Sequence, residues 1–240
     1  MFYFFVKYVI LWVPLHLFFR PWVKGRKNIP KSGAAIFASN HISFSDSIFL
    51  PLVVRRKITF LAKIDYWRGK GVRGFFTKLF FNGVGQVPVD RAGGSAAESA
   101  LNTAIKILNE GKFLGIYPEG TRAPDGRLYR GRTGVARMAL EAEVPVIPVA
   151  MIGTYEIQPP GQVFPKLGRV GVRFGKPLDF SQYYGESKNV EVLRKVTNEI
   201  MQAIHKLSGQ EYVDIYASNA KELLKKGKNI QDELNKEGEN

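Results

Sequence analysis

Short apolar runs and amphipathic stretches alternate along most of the chain. The apolar runs are bounded by turn residues and predict β-strands over residues 34–39, 57–62, 113–118, 144–152 and 169–175. The other stretches carry apolar residues at helical spacing and predict helices over residues 46–54, 73–80, 95–111, 132–143 and 190–209. Strands that alternate with helices of this length indicate an α/β fold. We expect a single domain with a mixed, mostly parallel sheet flanked by helices.

Residues 1–23 differ from the rest because they are almost entirely aromatic and aliphatic. They lack the leading cations and the small-residue cleavage site of a secretory signal. A membrane-spanning helix needs about 20 mostly apolar residues, and Lys7, Pro14 and His16 interrupt this stretch. We therefore predict an apolar helical segment that docks in the membrane interface, with Trp22 at headgroup depth.

The alternative is an N-terminal helix buried in the core of its own domain. The charge distribution favours the membrane, because Asp46 is the single acid in residues 1–60 and cations cluster beside the apolar stretch. We divide the chain into a membrane-associating segment at 1–31, a folded domain at 32–218 and a polar, partly disordered tail at 219–240.

The composition excludes several kinds of catalytic and metal-binding site. The chain has no cysteine, which excludes disulfides, thiolate catalysis and cysteine-ligated metals. It has three histidines without neighbours at metal-ligand spacing, so we predict no metal site. The formal net charge of +14 attracts anions such as nucleic acid, anionic lipid or phosphorylated substrates. A nucleic-acid-binding domain would place its cations along a helix face or among strand aromatics, whereas here they flank the apolar N-terminus, so we expect no nucleic-acid partner.

The stretch ASNHISFSD at residues 38–46 places His41 and Asp46 just after a predicted strand. If a loop follows the strand and a helix begins near Ser43, His41 can turn back towards Asp46 at the edge where α/β sheets bind ligands. The same letters match the capping box S-x-x-D, in which Ser43 and Asp46 only start the helix. The spacing by itself leaves both interpretations open.

Two further stretches end in arginine after runs that resemble strands. GQVPVDR ends at Arg91, and IYPEGTR ends at Arg122. Arginine presents a planar fork of donors suited to phosphate, and Gly120 lacks a side chain where a ligand could approach the backbone. Together with His41 and Asp46 they suggest a base beside an anion clamp.

In order and spacing, NHISFSD, GQVPVDR, YPEGTR and VPVIPVA resemble the four motif blocks of the glycerolipid acyltransferases. Within that group the chain most resembles the 1-acylglycerol-3-phosphate acyltransferase family, which makes phosphatidic acid. The blocks span residues 40–150, and four blocks in order are far more specific than any one alone. The departures are small, because Tyr117 stands where phenylalanine is usual and Ala123 where serine is common.

The resemblance implies an O-acyltransferase whose substrate supplies the nucleophile. His41 is expected to act as general base on the free hydroxyl of a lysophospholipid as that oxygen attacks an acyl thioester. Asp46 is expected to orient the imidazole and to stabilise the imidazolium. The residues expected to bind the acceptor are Arg91, Glu119, Gly120, Thr121, Arg122 and, secondarily, Lys63.

The resemblance also implies the substrates and the location. The expected acceptor is 1-acylglycerol-3-phosphate, and the expected donor is acyl-CoA or acyl-carrier protein, which the sequence does not distinguish. No cofactor is expected. A peripheral or monotopic protein on the cytoplasmic face of the cell membrane is expected, in contact with membrane lipid. The alternatives are a superfamily member with another acceptor, such as glycerol-3-phosphate or a different lysophospholipid, and a noncatalytic membrane-binding relative.

Overall fold

The computed structural model describes residues 2–89 and 96–231, without the side chains of Lys63 and Arg73. The strands of its main sheet are β1 (Trp22–Lys24), β2 (Ala35–Ser39), β3 (Ile58–Lys63), β4 (Gln86–Val89), β5 (Phe113–Ile116), β7 (Val146–Ile152) and β8 (Gly171–Phe174). A separate pair consists of β6 (Leu128–Tyr129) and β9 (Tyr212–Val213). The helices are α1 (Phe2–Phe19), α2 (Asp46–Val53), α3 (Asp65–Arg68), α4 (Gly71–Gly83), α5 (Ala96–Asn109), α6 (Gly134–Glu141), α7 (Thr154–Ile157), α8 (Val190–Ser208) and α9 (Ala217–Lys225).

The main sheet has seven strands in the order β1-β8-β7-β2-β5-β3-β4. From β7 to β4 every neighbouring pair is parallel, whereas β8 runs antiparallel to β7 and β1 runs parallel to β8. The predicted α/β fold with a mixed, mostly parallel sheet is confirmed. Each predicted strand and helix is present with shifted ends, because apolar periodicity locates an element better than its limits.

Helices cover both faces of the sheet, which is why the central strands are buried on both sides. On one face, α2 packs an aromatic cluster in which Phe49 meets Phe19, and Phe37 lies against Phe113 and Phe174. On the other face, α5, α6 and α8 contribute the second large apolar cluster. The loops between strands and helices therefore lie at the two edges of the sheet.

Helix α1 packs one stripe on the domain and exposes the other. Tyr3, Val6 and Phe19 are buried, and the Lys7 ammonium donates a hydrogen bond to the carbonyl of Val54. Large apolar side chains on the opposite side stay exposed, namely Phe2, Phe4, Phe5, Tyr8, Val9, Ile10, Trp12, Val13, Leu17 and Phe18. By length and composition alone, Phe2–Phe19 is the one helix in the described residues that could cross a membrane, and this is weak evidence.

Two expected segment boundaries do not match structural ones. Trp22–Lys24 lies inside the predicted N-terminal segment at 1–31, yet it pairs with β8 and forms the edge of the main sheet. Helix α9 crosses the predicted start of the polar tail at 219, and Ala217, Ala220 and Ile230 are buried in a third apolar cluster. The small alanines and a single isoleucine gave too weak an apolar pattern to predict that packing.

Candidate active site

The predicted site residues follow two neighbouring parallel strands. Strand β2 pairs with β5 so that Ala38 lies opposite Ile116. His41 follows the end of β2, and the segment from Tyr117 to Arg122 follows the end of β5. The two loops consequently meet at the carboxyl edge of the sheet, where open α/β sheets bind their ligands.

Asp46 contacts both the His41 ring and the backbone of the turn. Its Oδ2 atom lies 2.9 Å from His41 Nδ1 and accepts hydrogen bonds from the amides of Ile42 and Ser43, each at 2.8 Å. Since Oδ2 is an acceptor for those amides, the imidazole must donate from Nδ1, which leaves Nε2 with its lone pair. The Ser43 hydroxyl accepts from the Ser45 amide at 3.1 Å within the turn before α2. The N-cap of α2 is Ser45, whose side chain makes no capping hydrogen bond.

Glu119 fixes the backbone of His41 rather than pointing at solvent. Its fully buried carboxyl group accepts from the His41 amide at 3.0 Å and from the Tyr129 amide at 3.1 Å. The His41 carbonyl accepts from the Ala123 amide at 2.7 Å. Burial raises the pKa of Glu119 to about 8, and its two backbone hydrogen bonds oppose that rise. Both backbone polar groups of His41 are thus held by the loop after β5.

The ring of His41 is held by stacking as well as by hydrogen bonding. Its centroid lies 3.8 Å from that of Tyr117, with 11° between the ring planes. The Tyr117 hydroxyl lies 2.9 Å from the Ser47 hydroxyl on α2. Tyr117, which stands where phenylalanine is usual, therefore still stacks its ring on His41. Its hydroxyl adds a contact with the helix that carries Asp46.

Asn40, the first residue of the motif, anchors the turn to the next strand. Its side chain accepts from the Met151 amide at 2.7 Å and donates to the Met151 carbonyl at 3.1 Å. It also donates to Gln210 at 2.7 Å. This buried pairing with β7 fixes where the chain leaves β2, and hence where His41 begins its turn.

Cations surround the loop after β5. Gly120 has φ 75° and lies so close to Arg132 that an added Cβ would sit 2.9 Å from its Nε. Thr121 Oγ1 accepts from Lys221 Nζ at 2.6 Å. The Lys221 pKa is lowered by burial first and then by the charge of Arg122. This arrangement provides a positive surface with backbone exposed at the glycine.

These charges also affect the pKa of His41. Burial lowers the pKa of His41, the Asp46 contacts oppose this, and the charges of Arg122 and Lys221 lower it further. The His41 side chain is 16% exposed while that of Asp46 is 0% exposed. The lowered pKa favours the neutral imidazole, and the side chain of His41 keeps a small exposed fraction.

One predicted binding residue and the side chain of another are outside the described structure. Arg91 lies outside the described residues. Lys63 ends β3, where its backbone pairs with Val89 at the same carboxyl edge, and its side chain is not described. Lys221 and Arg132 were not predicted as site residues from the sequence, because Lys221 falls in the expected polar tail and Arg132 begins a predicted helix. The described residues hold no group of three or more His, Asp or Glu side chains suited to a metal.

Comparison with known proteins gives the family. The model of the family described as Acyltransferase matches residues 20–152, which include the turn with His41 and Asp46 and the loop after β5. The chain belongs to the acyltransferase family. The chain is similar to a crystal structure of the 1-acyl-sn-glycerophosphate (LPA) acyltransferase PlsC from Thermotoga maritima, with a TM-score of 0.61 and 30% identity. That similarity covers 78% of this chain and 71% of the other.

Relatives from bacteria and plants carry related names. The chain is 28% identical to a 1-acyl-sn-glycerol-3-phosphate acyltransferase of Bacillus subtilis, over 78% of this chain and 88% of the relative. It is 29% identical to the chloroplastic 1-acyl-sn-glycerol-3-phosphate acyltransferase LPAT1 of Arabidopsis thaliana, over 72% of this chain and 48% of that protein. The chain thus spans about half the length of its plant relative and most of the bacterial one.

Proposed function

We propose that this acyltransferase moves a fatty acyl group from an acyl thioester to the free hydroxyl of 1-acylglycerol-3-phosphate, giving phosphatidic acid and a thiol. The observation that carries the proposal is the bond between His41 Nδ1 and Asp46 Oδ2, which leaves Nε2 as a neutral base. The names of the bacterial and plant relatives support the choice of acceptor.

The proposed reaction uses the substrate's own oxygen as nucleophile. His41 Nε2 takes the proton of the acceptor hydroxyl as its oxygen attacks the thioester carbonyl. Asp46 stabilises the imidazolium that forms. The tetrahedral intermediate collapses, the carbon–sulfur bond breaks, and the leaving thiolate takes the proton back from His41. The chemistry needs no enzyme nucleophile, in keeping with a chain that has no cysteine.

We assign the acceptor's phosphate to the positive surface after β5. Arg122 and Lys221 supply charge, Thr121 supplies a hydroxyl, and Gly120 leaves room for the Arg132 side chain beside the loop. A phosphate bound there would hold the acceptor hydroxyl near His41 and favour it over water. Glu119 would serve this surface indirectly, since its carboxyl group is engaged with two backbone amides.

We further propose that the protein works at the cytoplasmic face of a membrane in phospholipid biosynthesis. The acceptor and the product carry acyl chains, and the exposed side of α1 offers an apolar surface for docking. Lys24, Arg26, Lys27 and Lys31 follow that helix and would meet anionic headgroups.

The test is acyl transfer by the purified full chain. We expect thiol release and phosphatidic acid when lysophosphatidic acid is supplied, with slower reaction for glycerol-3-phosphate and for the uncharged monoacylglycerol. Acyl-CoA and acyl-carrier protein are compared under one acceptor to identify the donor. His41→Ala is the inactive control. A folded protein that releases no thiol from either donor with any of these acceptors would overturn the proposed function.

A further inference from the structure

The loop between α7 and β8 exposes a cluster of large apolar side chains. Val163, Phe164 and Leu167 are 76%, 81% and 75% exposed. Single exposed apolar residues are common on protein surfaces, but three within five positions form a patch of the kind that marks an interaction site. We call residues 162–167 the apolar loop.

The topology places the apolar loop at the active-site edge of the sheet. Strand β8 runs antiparallel to β7, and its first residue, Gly171, pairs with Ile152 at the carboxyl end of β7. The residues just before β8 therefore lie at the same edge as His41. The Val170 amide also donates to the carbonyl of Phe19, the last residue of α1, at 3.3 Å.

The end of α1 consequently lies at this edge as well, and its exposed residues extend the patch. Leu17 is 67% exposed and Phe18 is 54% exposed. The residues before β8 and the end of α1 thus lie at the same edge of the sheet as His41. A single flat surface could contact both.

The apolar loop is tied to the turn that carries the base. The carbonyl of Gln158 accepts from the Ser43 hydroxyl at 2.8 Å, and its side-chain Oε1 accepts from the Ser45 hydroxyl at 2.6 Å. The side-chain Nε2 of Gln158 donates to the Val163 carbonyl at 2.8 Å. One buried glutamine therefore fixes the apolar loop relative to the His41–Asp46 turn.

Charge indicates the kind of surface that the loop fits. Lys166 and Arg169 are exposed beside the apolar side chains, and residues 157–178 contain no aspartate or glutamate. An apolar tip with flanking cations suits the boundary of an anionic bilayer, where the side chains enter the acyl region and the cations meet headgroups.

We propose that the apolar loop inserts into an anionic lipid surface as a second membrane contact beside α1. The proposal rests on the proposed function, because a lipid acceptor requires the site to open towards a membrane. When the apolar loop and α1 both contact the membrane, the carboxyl edge of the sheet faces the lipid. The hydrogen bonds of Gln158 then set the distance of His41 from the membrane surface. The acceptor then reaches the base without leaving the bilayer.

Vesicle binding tests the proposal without any turnover. Full-length protein is sedimented with vesicles of phosphatidylcholine containing phosphatidylglycerol, and with phosphatidylcholine alone. We expect Phe164→Ser combined with Leu167→Ser to weaken binding to the anionic vesicles at least about tenfold, because two apolar side chains no longer enter the lipid. Val190→Ser, which removes a 75% exposed side chain at the start of α8, is the matched control and should bind as the parent does.

A second measurement reads insertion directly. Phe164→Trp adds a fluorophore to a chain with three tryptophans, and brominated lipids should quench the added emission relative to the parent protein. Unchanged vesicle binding by the double variant, or added emission that brominated lipid does not quench, would overturn the proposal. Neither readout depends on catalysis, so either failure is distinct from failure of acyl transfer.

Discussion

His41 contacts Asp46 through Oδ2, an oxygen atom that also accepts two backbone hydrogen bonds. Asp46 Oδ2 lies 2.9 Å from His41 Nδ1 and also accepts from the amides of Ile42 and Ser43. The amides fix an acceptor at that point whatever the charge of the side chain. The geometry therefore separates two roles of the acid, which are the choice of tautomer and the stabilisation of the imidazolium.

The Asp46→Asn variant should lose only the stabilisation of the imidazolium. The two amides will hold the side-chain oxygen of the new asparagine towards His41, so the productive tautomer is kept. Loss of a charge-assisted hydrogen bond worth about 1.5–3 kcal/mol should slow turnover roughly 10- to 150-fold. Steady-state kinetics measure the loss, and NMR of the imidazole nitrogens checks the tautomer. A tautomer switch would contradict this account.

His41→Ala removes the base and should reduce turnover at least roughly 10²-fold, the lower range of general-base effects. The fold should survive, because the His41 backbone keeps its bonds to Glu119 and Ala123. Circular dichroism and thermal unfolding provide the control. A near-normal rate from the folded variant would refute the role of His41.

The rate should depend on pH through the protonation of His41. Burial holds its pKa below the ordinary 6.5, and only the neutral form accepts a proton. We therefore expect kcat/KM to fall on the acid side with a midpoint below 6.5. Lys221→Ala removes a nearby positive charge that lowers this pKa, so the midpoint should move upward. A shift in the opposite direction would exclude this electrostatic coupling.

Lys221→Ala should also weaken use of the phosphorylated acceptor. If Lys221 contacts the phosphate, KM for lysophosphatidic acid should rise roughly 10-fold or more, as for loss of a charged hydrogen bond, with little change for monoacylglycerol. Lys226→Ala, an exposed lysine at the end of α9, is the control. Equal losses with both acceptors would show that Lys221 only packs α9 against the site.

Glu119→Gln should alter stability and its dependence on pH. The folded-state pKa of Glu119 is raised to about 8, from an ordinary 4.5. Its contribution to the free energy of unfolding is therefore fully present below 4.5 and declines as pH rises to about 8, by at most about 1.4 kcal/mol per pH unit. Glutamine does not titrate, so the variant should lose this slope. Urea unfolding at several pH values measures it, and an unchanged slope would count against a protonated Glu119.

Much of this protein could be predicted from local pattern. Apolar periodicity was sufficient to locate the helices and the central strands, because burial of one face or of a whole strand marks the sequence directly. His41, Asp46 and the loop from Glu119 to Arg122 stood out because chemistry and spacing coincide in short motifs. The capping and pairing interpretations of residues 43–46 looked like alternatives. In the structure Asp46 Oδ2 contacts both His41 and the amides of Ile42 and Ser43, whereas the N-cap of the helix is Ser45, whose side chain makes no capping hydrogen bond.

Other features depend on residues far apart in the chain. Lys221 reaches Thr121 across 100 positions, and Gln158 joins Ser43 and Ser45 to the apolar loop across more than 110. Glu119 resembled a ligand for the acceptor until its carboxyl group was seen to hold two backbone amides. The sequence determined which strands are buried and where His41 and Asp46 lie along the chain. Only the tertiary structure decided which residues surround His41, because a hydrogen bond between distant segments produces no periodic pattern in the sequence of either segment.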